Sequence, residues 1–179
     1  THEGEDKIIL DSFNLIKRDF PSVKLVVVPR HPERANKIKA LFLNMGSKSI
    51  YENEEEISSD ILIVKSLGIL PTFYSGAQLA FVGGSLVNRG GHNIIEPAIA
   101  QCPFILGENY FNFKNIVESF ISANATHIIK TPLDIFEIFC KTYKNQDDFR
   151  EDMIRNANTV IEKNIGATMR QLSLIRASL

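Results

Sequence analysis

Apolar residues along the chain follow two alternating patterns, short continuous runs and longer runs with helical spacing. The short runs predict buried strands, at residues 24–28, 49–51, 61–64, 79–82, 104–106 and 127–129. Between them, apolar residues recur every three or four positions, which predicts helices. These helices are expected at residues 1–20, 35–43, 71–75, 112–122, 131–144 and 147–176, with a further helix after residue 93 and a break near Gly166. Because strands and helices alternate without hairpin signals, the sequence predicts an α/β domain with a doubly wound, mainly parallel sheet.

Length and charge narrow the class of protein. A chain of 179 residues with 44% hydrophobic content predicts one core and a single domain over 1–179. The formal net charge of −1 gives no broad basic surface, so no nucleic-acid partner is expected. No apolar run reaches the roughly 18 residues that a membrane span needs, and we expect the fragment to be soluble. The chain starts at Thr1 without Met and enters a helical pattern almost at once, which predicts a domain excised from a longer protein.

One stretch, residues 81–97, combines a strand, a glycine-rich loop and a helix start. The strand breaks at Gly83 and Gly84, and a second glycine pair, Gly90 and Gly91, follows Arg89. Glycine lets backbone amides approach a ligand, and a helix start offers unpaired N–H groups and a positive dipole. This arrangement predicts a site for a phosphate-bearing small ligand. Tight turns without a ligand would also require such glycines, and we favour ligand binding because two pairs exceed what turning needs.

Known motifs with other chemistry do not fit this loop. The dinucleotide fingerprint GxGxxG is absent, and no Gly-Lys-Ser/Thr follows as in a Walker loop. Ser85 lies in GGSLV rather than GxSxG, which argues against a hydrolase nucleophile. His31 and His92 lie in loops without further ligands at suitable spacing, so no metal site is expected, and His2 and His127 have no assigned role.

Each polar residue around this stretch has two possible roles, one structural and one in ligand binding. Asn93 and Glu96 match a variant capping box at the start of the predicted helix, and Glu96 beside a phosphate site could also accept both hydroxyls of a ribose. Arg30 follows a buried strand, either as an ordinary surface arginine or as a guanidinium directed at a phosphate or carboxylate. Arg89 could serve the same purpose or bind a carbonyl. In a parallel sheet the loops that carry these residues, 29–34, 66–70 and 83–96, gather at the carboxyl ends of the strands.

Four blocks in order resemble 3-deoxy-D-manno-octulosonic acid (Kdo) transferases. They are residues 1–5 (THEGE), 28–34 (VPRHPER), 81–96 (FVGGSLVNRGGHNIIE) and 111–114 (FNFK). The resemblance covers essentially the whole chain and corresponds to the C-terminal half of the family protein.

The resemblance implies the Rossmann-like C-terminal domain of a GT-B glycosyltransferase. The family transfers Kdo from CMP-Kdo to the lipid A precursor of Gram-negative lipopolysaccharide, at the cytoplasmic face of the inner membrane. Carried over by motif, residues that contact CMP would be Pro29, Arg30, Leu67, Gly68, Ile69, Asn93, Ile94, Ile95 and Glu96. Together with Gly83, Gly84, Arg89, Gly90 and Gly91, they form the predicted donor site. CMP-Kdo is then a substrate and CMP a product, and no cofactor is implied.

The same resemblance implies what this chain does not contain. The general base is expected in an N-terminal domain, together with the acceptor surface and a membrane anchor, so no catalytic residue is expected within these 179 residues. Relatives commonly carry a carboxylate at the position of Ile69. The isoleucine of this chain leaves backbone contacts at this position but lacks the side-chain contact that a carboxylate could make. The alternatives are a noncatalytic nucleotide-binding module, or another sugar-nucleotide enzyme on this scaffold, such as a UDP-sugar 2-epimerase or a related transferase.

Overall fold

The computed structural model describes residues 1–54 and 59–177, with side chains up to residue 164. The helices are α1 (Glu5–Asp19), α2 (Ala35–Asn44), α3 (Leu70–Tyr74), α4 (Ile95–Ile99), α5 (Lys114–Ser122), α6 (Pro132–Lys144) and α7 (Phe149–Ala177). The strands are β1 (Leu25–Val27), β2 (Ile50–Tyr51), β3 (Ile61–Ile63), β4 (Ala80–Val82), β5 (Phe104–Leu106) and β6 (His127–Ile128). Short 3-10 turns lie at Pro32–Arg34, Phe111–Phe113 and Gln146–Asp148.

The strands form two three-stranded sheets, ordered β1-β3-β2 and β4-β5-β6, and each of these pairings is parallel. The α/β class with parallel strands is thus confirmed. Within the described residues the hydrogen-bonded ladder is divided between β1 and β4 rather than continuous. Leu25 of β1 and Phe81 of β4 nevertheless pack around one apolar cluster that includes Ile9 and Ile105.

Each sheet has its own apolar core, built from the helical stripes that the sequence pattern predicts. The first core packs Leu10 and Phe42 from the helices against Val27 and Ile63 from the strands. The second packs Phe104 and Phe120 with residues of α4 and α7. The three phenylalanines are almost completely buried, and each such side chain contributes about 1.5–3 kcal/mol of hydrophobic stabilisation.

Three local predictions are corrected. The first helix starts at Glu5 rather than Thr1, because Gly4 has φ 97° and cannot continue a right-handed helix upstream. Strand β4 is fully buried only at Val82, so it is not covered on both faces. Helix α7 runs through Gly166 without the predicted break, since one glycine weakens a helix by only about 1 kcal/mol.

Among the described residues, none of the helices combines the length and the apolar character needed to span a membrane.

Candidate functional site

The loops after β1 and β4 meet through three histidine rings. The ring of His2 lies 4.9 Å from that of His92 and 6.2 Å from that of His31. His31 belongs to the loop after β1 and His92 to the loop after β4, so two of the three predicted loops converge. The N-terminal segment, residues 1–4, lies between them.

The third loop, 66–70, approaches this region through the helix that follows it. It leads into α3, which packs against α4. Burial raises the pKa of Tyr74 in α3, and the negative charge of Glu96 adds to the effect, so the two residues are electrostatic neighbours. The loops after β1 and β4 therefore meet at His2, and loop 66–70 is linked to the loop after β4 through the packing of α3 on α4.

The loop that follows Gly83 binds a carboxylate of the protein itself. The fully buried Glu5 accepts hydrogen bonds from the backbone N–H groups of Gly84 (2.9 Å), Ser85 (3.0 Å) and Leu86 (3.1 Å). A fourth comes from the N–H of His2 at 2.7 Å. The loop does form an anion-binding concavity, as its sequence predicts. Glu5 binds the amides of Gly84, Ser85 and Leu86, so these amides are not available to a ligand phosphate. This corrects the expectation from the sequence.

The glycines are required by close packing inside the protein. A Cβ at Gly84 would lie 3.3 Å from the rings of both His2 and His92, and its φ of +74° disfavours any side chain. A Cβ at Gly90 would fall 2.3 Å from Asn112 and 2.6 Å from Phe111. Both glycines therefore have a structural reason that is independent of any ligand.

Ser85 is a structural residue, consistent with the absence of a nucleophile elbow. Its fully buried hydroxyl donates to the carbonyl of Val82 at 2.6 Å and accepts from the N–H of Gly107 at 2.8 Å. Its carbonyl accepts from the N–H of Asn109 at 2.9 Å. These bonds join the ends of β4 and β5.

The N-terminal segment is held by a buried ion pair. Arg34 binds Asp6, whose side chain is 5% exposed, and also donates to the carbonyl of Thr1 at 2.7 Å. The hydroxyl of Thr1 donates to Asp6 as well. Since an unpaired buried charge is costly, this pair keeps residues 1–4 against the loop after β1.

Asn93 and Glu96 cap the short helix α4 in a different way from the predicted capping box. The helix begins at Ile95, so Ile94 occupies the cap position and Glu96 the second helical position. Asn93 accepts from the N–H of Ile95 at 3.0 Å and donates from its side-chain amide to Glu96 at 3.1 Å. Both side chains are exposed, so local capping and ligand contact remain compatible. Because α4 has only five residues, its dipole is small.

Two arginines of these loops have no partner among the described residues. The guanidinium groups of Arg30 and Arg89 are exposed and form no hydrogen bond or ion pair with the part of the chain that the structure describes. In contrast, Arg34 in the same loop is fully engaged with Asp6. Unpaired guanidiniums at converging loops are available for a phosphate or carboxylate.

Across the described ranges, 1–54 and 59–177, no three His, Cys, Asp or Glu side chains are grouped so that they could hold a metal ion. Cys102 and Cys140 are free thiols, and burial raises the pKa of both.

Comparison with known proteins identifies the relatives. No protein-family model matches the sequence. The chain is 33% identical over 179 residues to the 3-deoxy-D-manno-octulosonic acid transferase of Haemophilus influenzae, covering 98% of this chain and 42% of that protein. It is 42% identical over 107 residues to the Aquifex aeolicus enzyme of the same name, covering 59% and 30%.

A solved structure extends the match to three dimensions. It is the crystal structure of the C-terminal CMP-Kdo binding domain of WaaA from Acinetobacter baumannii, with a TM-score of 0.82 and 30% identity over 90% of this chain and 85% of that one. The chain belongs to the 3-deoxy-D-manno-octulosonic acid transferase family. It spans less than half the length of the curated relatives, 42% and 30% for the two above. The match to a C-terminal domain confirms the predicted C-terminal GT-B fold.

Within this family fold, the predicted site residues divide into an exposed and a buried set. The exposed residues are Arg30, Leu67, Gly68, Arg89, Asn93 and Glu96, and Ile69 and Ile95 are half-buried. The buried residues are Pro29, Gly83, Gly84, Gly90, Gly91 and Ile94. Contact of either set with CMP stays a prediction. The buried set shapes the loops, whereas the exposed set is open to a ligand.

Loop 66–70 is held by the side chain of Glu52, which the sequence analysis did not single out. Glu52 accepts from the N–H groups of Lys65 and Ser66 at 2.8 Å, and from the hydroxyl of Ser66 at the same distance. These bonds lower the pKa of Glu52 despite the opposing effect of burial. Leu67 is 77% exposed, and Gly68 has open space around it at φ +81°. Glu52 lies 14 residues before Ser66, and a single glutamate at this spacing is not a recognisable motif.

The other missed residues are Glu5, Asp6 and the histidine His2. The only sequence signal for His2 and Glu5 was their position in the first family block, and Asp6 lies just after it. Two acids at a helix start also occur as ordinary capping residues. Burial of Glu5 against a loop 80 residues away could not be read from that pattern.

Proposed function

We propose that this chain is the donor-binding part of a glycosyltransferase that moves Kdo from CMP-Kdo to the lipid A precursor in lipopolysaccharide biosynthesis. The observation that carries the proposal is the match to a C-terminal CMP-Kdo binding domain across 90% of this chain. The meeting of the loops after β1 and β4 at His2, with exposed polar groups on both loops, supports it.

The exposed groups at these loops suit the parts of a nucleotide sugar. Arg30 and Arg89, without partners in the described part of the chain, provide positive charge for the phosphate. Glu96, whose carboxylate has one bond to Asn93, has acceptor capacity left for ribose hydroxyls. Since Glu5 occupies the amides of Gly84, Ser85 and Leu86, the phosphate is held by the arginines and not by those amides.

In the reaction proposed for the whole protein, this domain stabilises the leaving group. A base in an N-terminal domain activates a hydroxyl of the acceptor sugar, which attacks the anomeric carbon of Kdo as CMP leaves. Fixed positive charge at Arg30 and Arg89 then lowers the energy of the charge that develops on the departing phosphate. The whole protein would act at the cytoplasmic face of the inner membrane, and this chain alone would bind CMP without transferring Kdo.

The test is calorimetric titration of this chain with CMP, UMP and UDP. We expect CMP to bind most tightly, and Arg30→Ala to weaken CMP binding about tenfold, since a charge-assisted hydrogen bond is lost. The matched control is Arg18→Ala, which removes an exposed arginine of α1 outside the three loops and leaves CMP binding unchanged. A preference for UDP would overturn the assignment, and so would equal losses in both variants. Transfer of Kdo by this chain alone would contradict its donor-only role.

A further inference from the structure

Two histidines at the proposed donor site share a direct hydrogen bond. Nε2 of His2 lies 2.9 Å from Nε2 of His92, with the rings inclined by 27°. The two residues are 90 positions apart and belong to the N-terminal segment and to the loop after β4. We call them the histidine pair.

The surrounding backbone is shaped to hold this pair. Gly84 leaves room for it, because a Cβ there would press on both rings at 3.3 Å. Glu5 accepts from the N–H of His2 and from that of Gly84, and so fixes the two backbones to one carboxylate. The N–H of Gly91, next to His92, donates to the carbonyl of Gly84 at 2.9 Å. The pair is therefore a built feature and not a chance surface contact.

The shared bond determines what the pair presents outward. A bond between two Nε2 atoms needs one N–H donor and one lone-pair acceptor. A neutral ring that accepts at Nε2 carries its proton on Nδ1, and a neutral ring that donates at Nε2 has a lone pair on Nδ1. The pair thus has one Nδ1–H donor and one Nδ1 acceptor. Neither Nδ1 has a hydrogen-bond partner in the described part of the chain, and neither is a buried unpartnered nitrogen, so both are open to solvent.

The environment keeps both rings neutral. Burial lowers the pKa of His92 to about 4, and the neighbouring His2 adds to this effect. Burial also lowers the pKa of His2, with Glu5 opposing the shift. A neutral pair at pH 7 has the tautomers described above.

The charges around the pair favour an anion. Arg30 from the loop after β1 and Arg89 from the loop after β4 both act on the pair, and neither has a partner in the described part of the chain. Arg34 also acts on the pair, but Asp6 balances its charge. The negative charge of Glu5 acts on both rings as well, but four backbone N–H groups bind its carboxylate. His31 contributes only a ring edge at 6.2 Å. The two unbalanced guanidiniums attract an anionic oxygen to the side of the pair.

We propose that the histidine pair binds an anionic group of the nucleotide sugar, phosphate or carboxylate, through its outward Nδ1–H. The opposite Nδ1 accepts from a hydroxyl of the same ligand. This inference rests on the proposed function and adds His2 and His92 to the residues expected in the donor site. A purely structural pair would tie the two segments together without touching ligand.

The experiment is long-range ¹H–¹⁵N NMR of the imidazoles during titration with cytidine, CMP and free Kdo. We expect the Nδ1 resonances of His2 and His92 to shift on ligand binding, while His127, which stacks on Phe149, stays unchanged. A shift with CMP but not cytidine identifies the phosphate as the bound anion. A shift only when Kdo is present identifies the carboxylate.

A variant arm uses calorimetry. His92→Gln is expected to weaken binding of the responding ligand about ten- to a hundredfold, since a hydrogen bond to an anion is lost. The matched variant His127→Gln should bind as the native chain does. If the native chain binds CMP and neither ligand moves the Nδ1 resonances of the pair, the inference is overturned and the proposed function stands. If no ligand binds the native chain, the proposed function fails and the inference fails with it.

Discussion

Glu5→Gln tests whether the carboxylate of Glu5 organises the glycine-rich loop. Each oxygen of Glu5 accepts two backbone N–H groups: Oε1 those of Ser85 and Leu86, and Oε2 those of His2 and Gly84. A glutamine replaces one oxygen with an NH₂ group, which donates and cannot accept. Whichever way the amide is oriented, one buried and one partly buried N–H group lose their acceptor.

The expected loss of stability follows from these two unsatisfied donors. Each buried donor without a partner costs about 1–3 kcal/mol, so we expect the free energy of unfolding to fall by about 2–5 kcal/mol. That is a large share of the roughly 5–15 kcal/mol by which a domain is stable. The measurement is urea denaturation followed by circular dichroism.

Glu3→Gln is the matched control, because it makes the same change of charge at an exposed residue two positions away. It should change the free energy of unfolding by less than about 0.5 kcal/mol. If the two variants were equally stable, the four amides would not depend on the carboxylate, and the account of this loop would be refuted.

Two further predictions concern the same region. Gly90→Ala places a Cβ 2.3 Å from Asn112 at φ +83°, so thermal denaturation should show a loss of about 2–4 kcal/mol, whereas Gly68→Ala, at φ +81° in open space, should lose only about 1 kcal/mol. Equal losses would show that packing at Gly90 is not tight. The second prediction is that stability falls as pH drops from about 6.5 to 4, because the folded protein binds fewer protons at His92, whose pKa burial lowers to about 4, than the unfolded chain does. Since the ring is partly exposed, we expect His92 to account for about 1–2 kcal/mol of this loss in the free energy of unfolding. His127 contributes in the same direction, since burial lowers its pKa too. Urea titrations at several pH values should therefore show a smaller acid loss for His92→Gln than for the native chain, and an unchanged loss would contradict the prediction.

Much of the fold could be read directly from local patterns. The strand at residues 61–64 and the helix at 131–144 were predicted within one residue of β3 and α6. Thr131 and Asp134 form a true capping box at the start of α6, which a local signal can specify. The start of α1 was missed because residues 1–7 contain no apolar position that would mark where the helix begins, and the positive φ of Gly4 ends the helix there.

At the candidate site, local sequence patterns do not predict which groups are paired within the protein. Glycine pairs and a polar helix start predicted a loop that offers amides to a phosphate-bearing ligand, and the structure shows the amides of Gly84, Ser85 and Leu86 bound to a carboxylate of the protein. The anion that binds in the loop after Gly83 is Glu5, which lies 80 residues away in the sequence and could not be found from a local pattern. The arginines are another example: Arg30 and Arg34 lie in one turn, yet only Arg34 is neutralised, by Asp6 of α1.

The sequence by itself determined the alternation of strands and helices, the loops that carry the site, and the family. Those properties depend on spacing along the chain and on short motifs, which persist in any arrangement of the elements. Only the tertiary structure decided which polar groups are used internally and which stay open to a ligand. That choice depends on groups meeting across 80 or 90 positions, at the Glu5 carboxylate and at the His2–His92 bond, where burial and hydrogen bonding set the outcome.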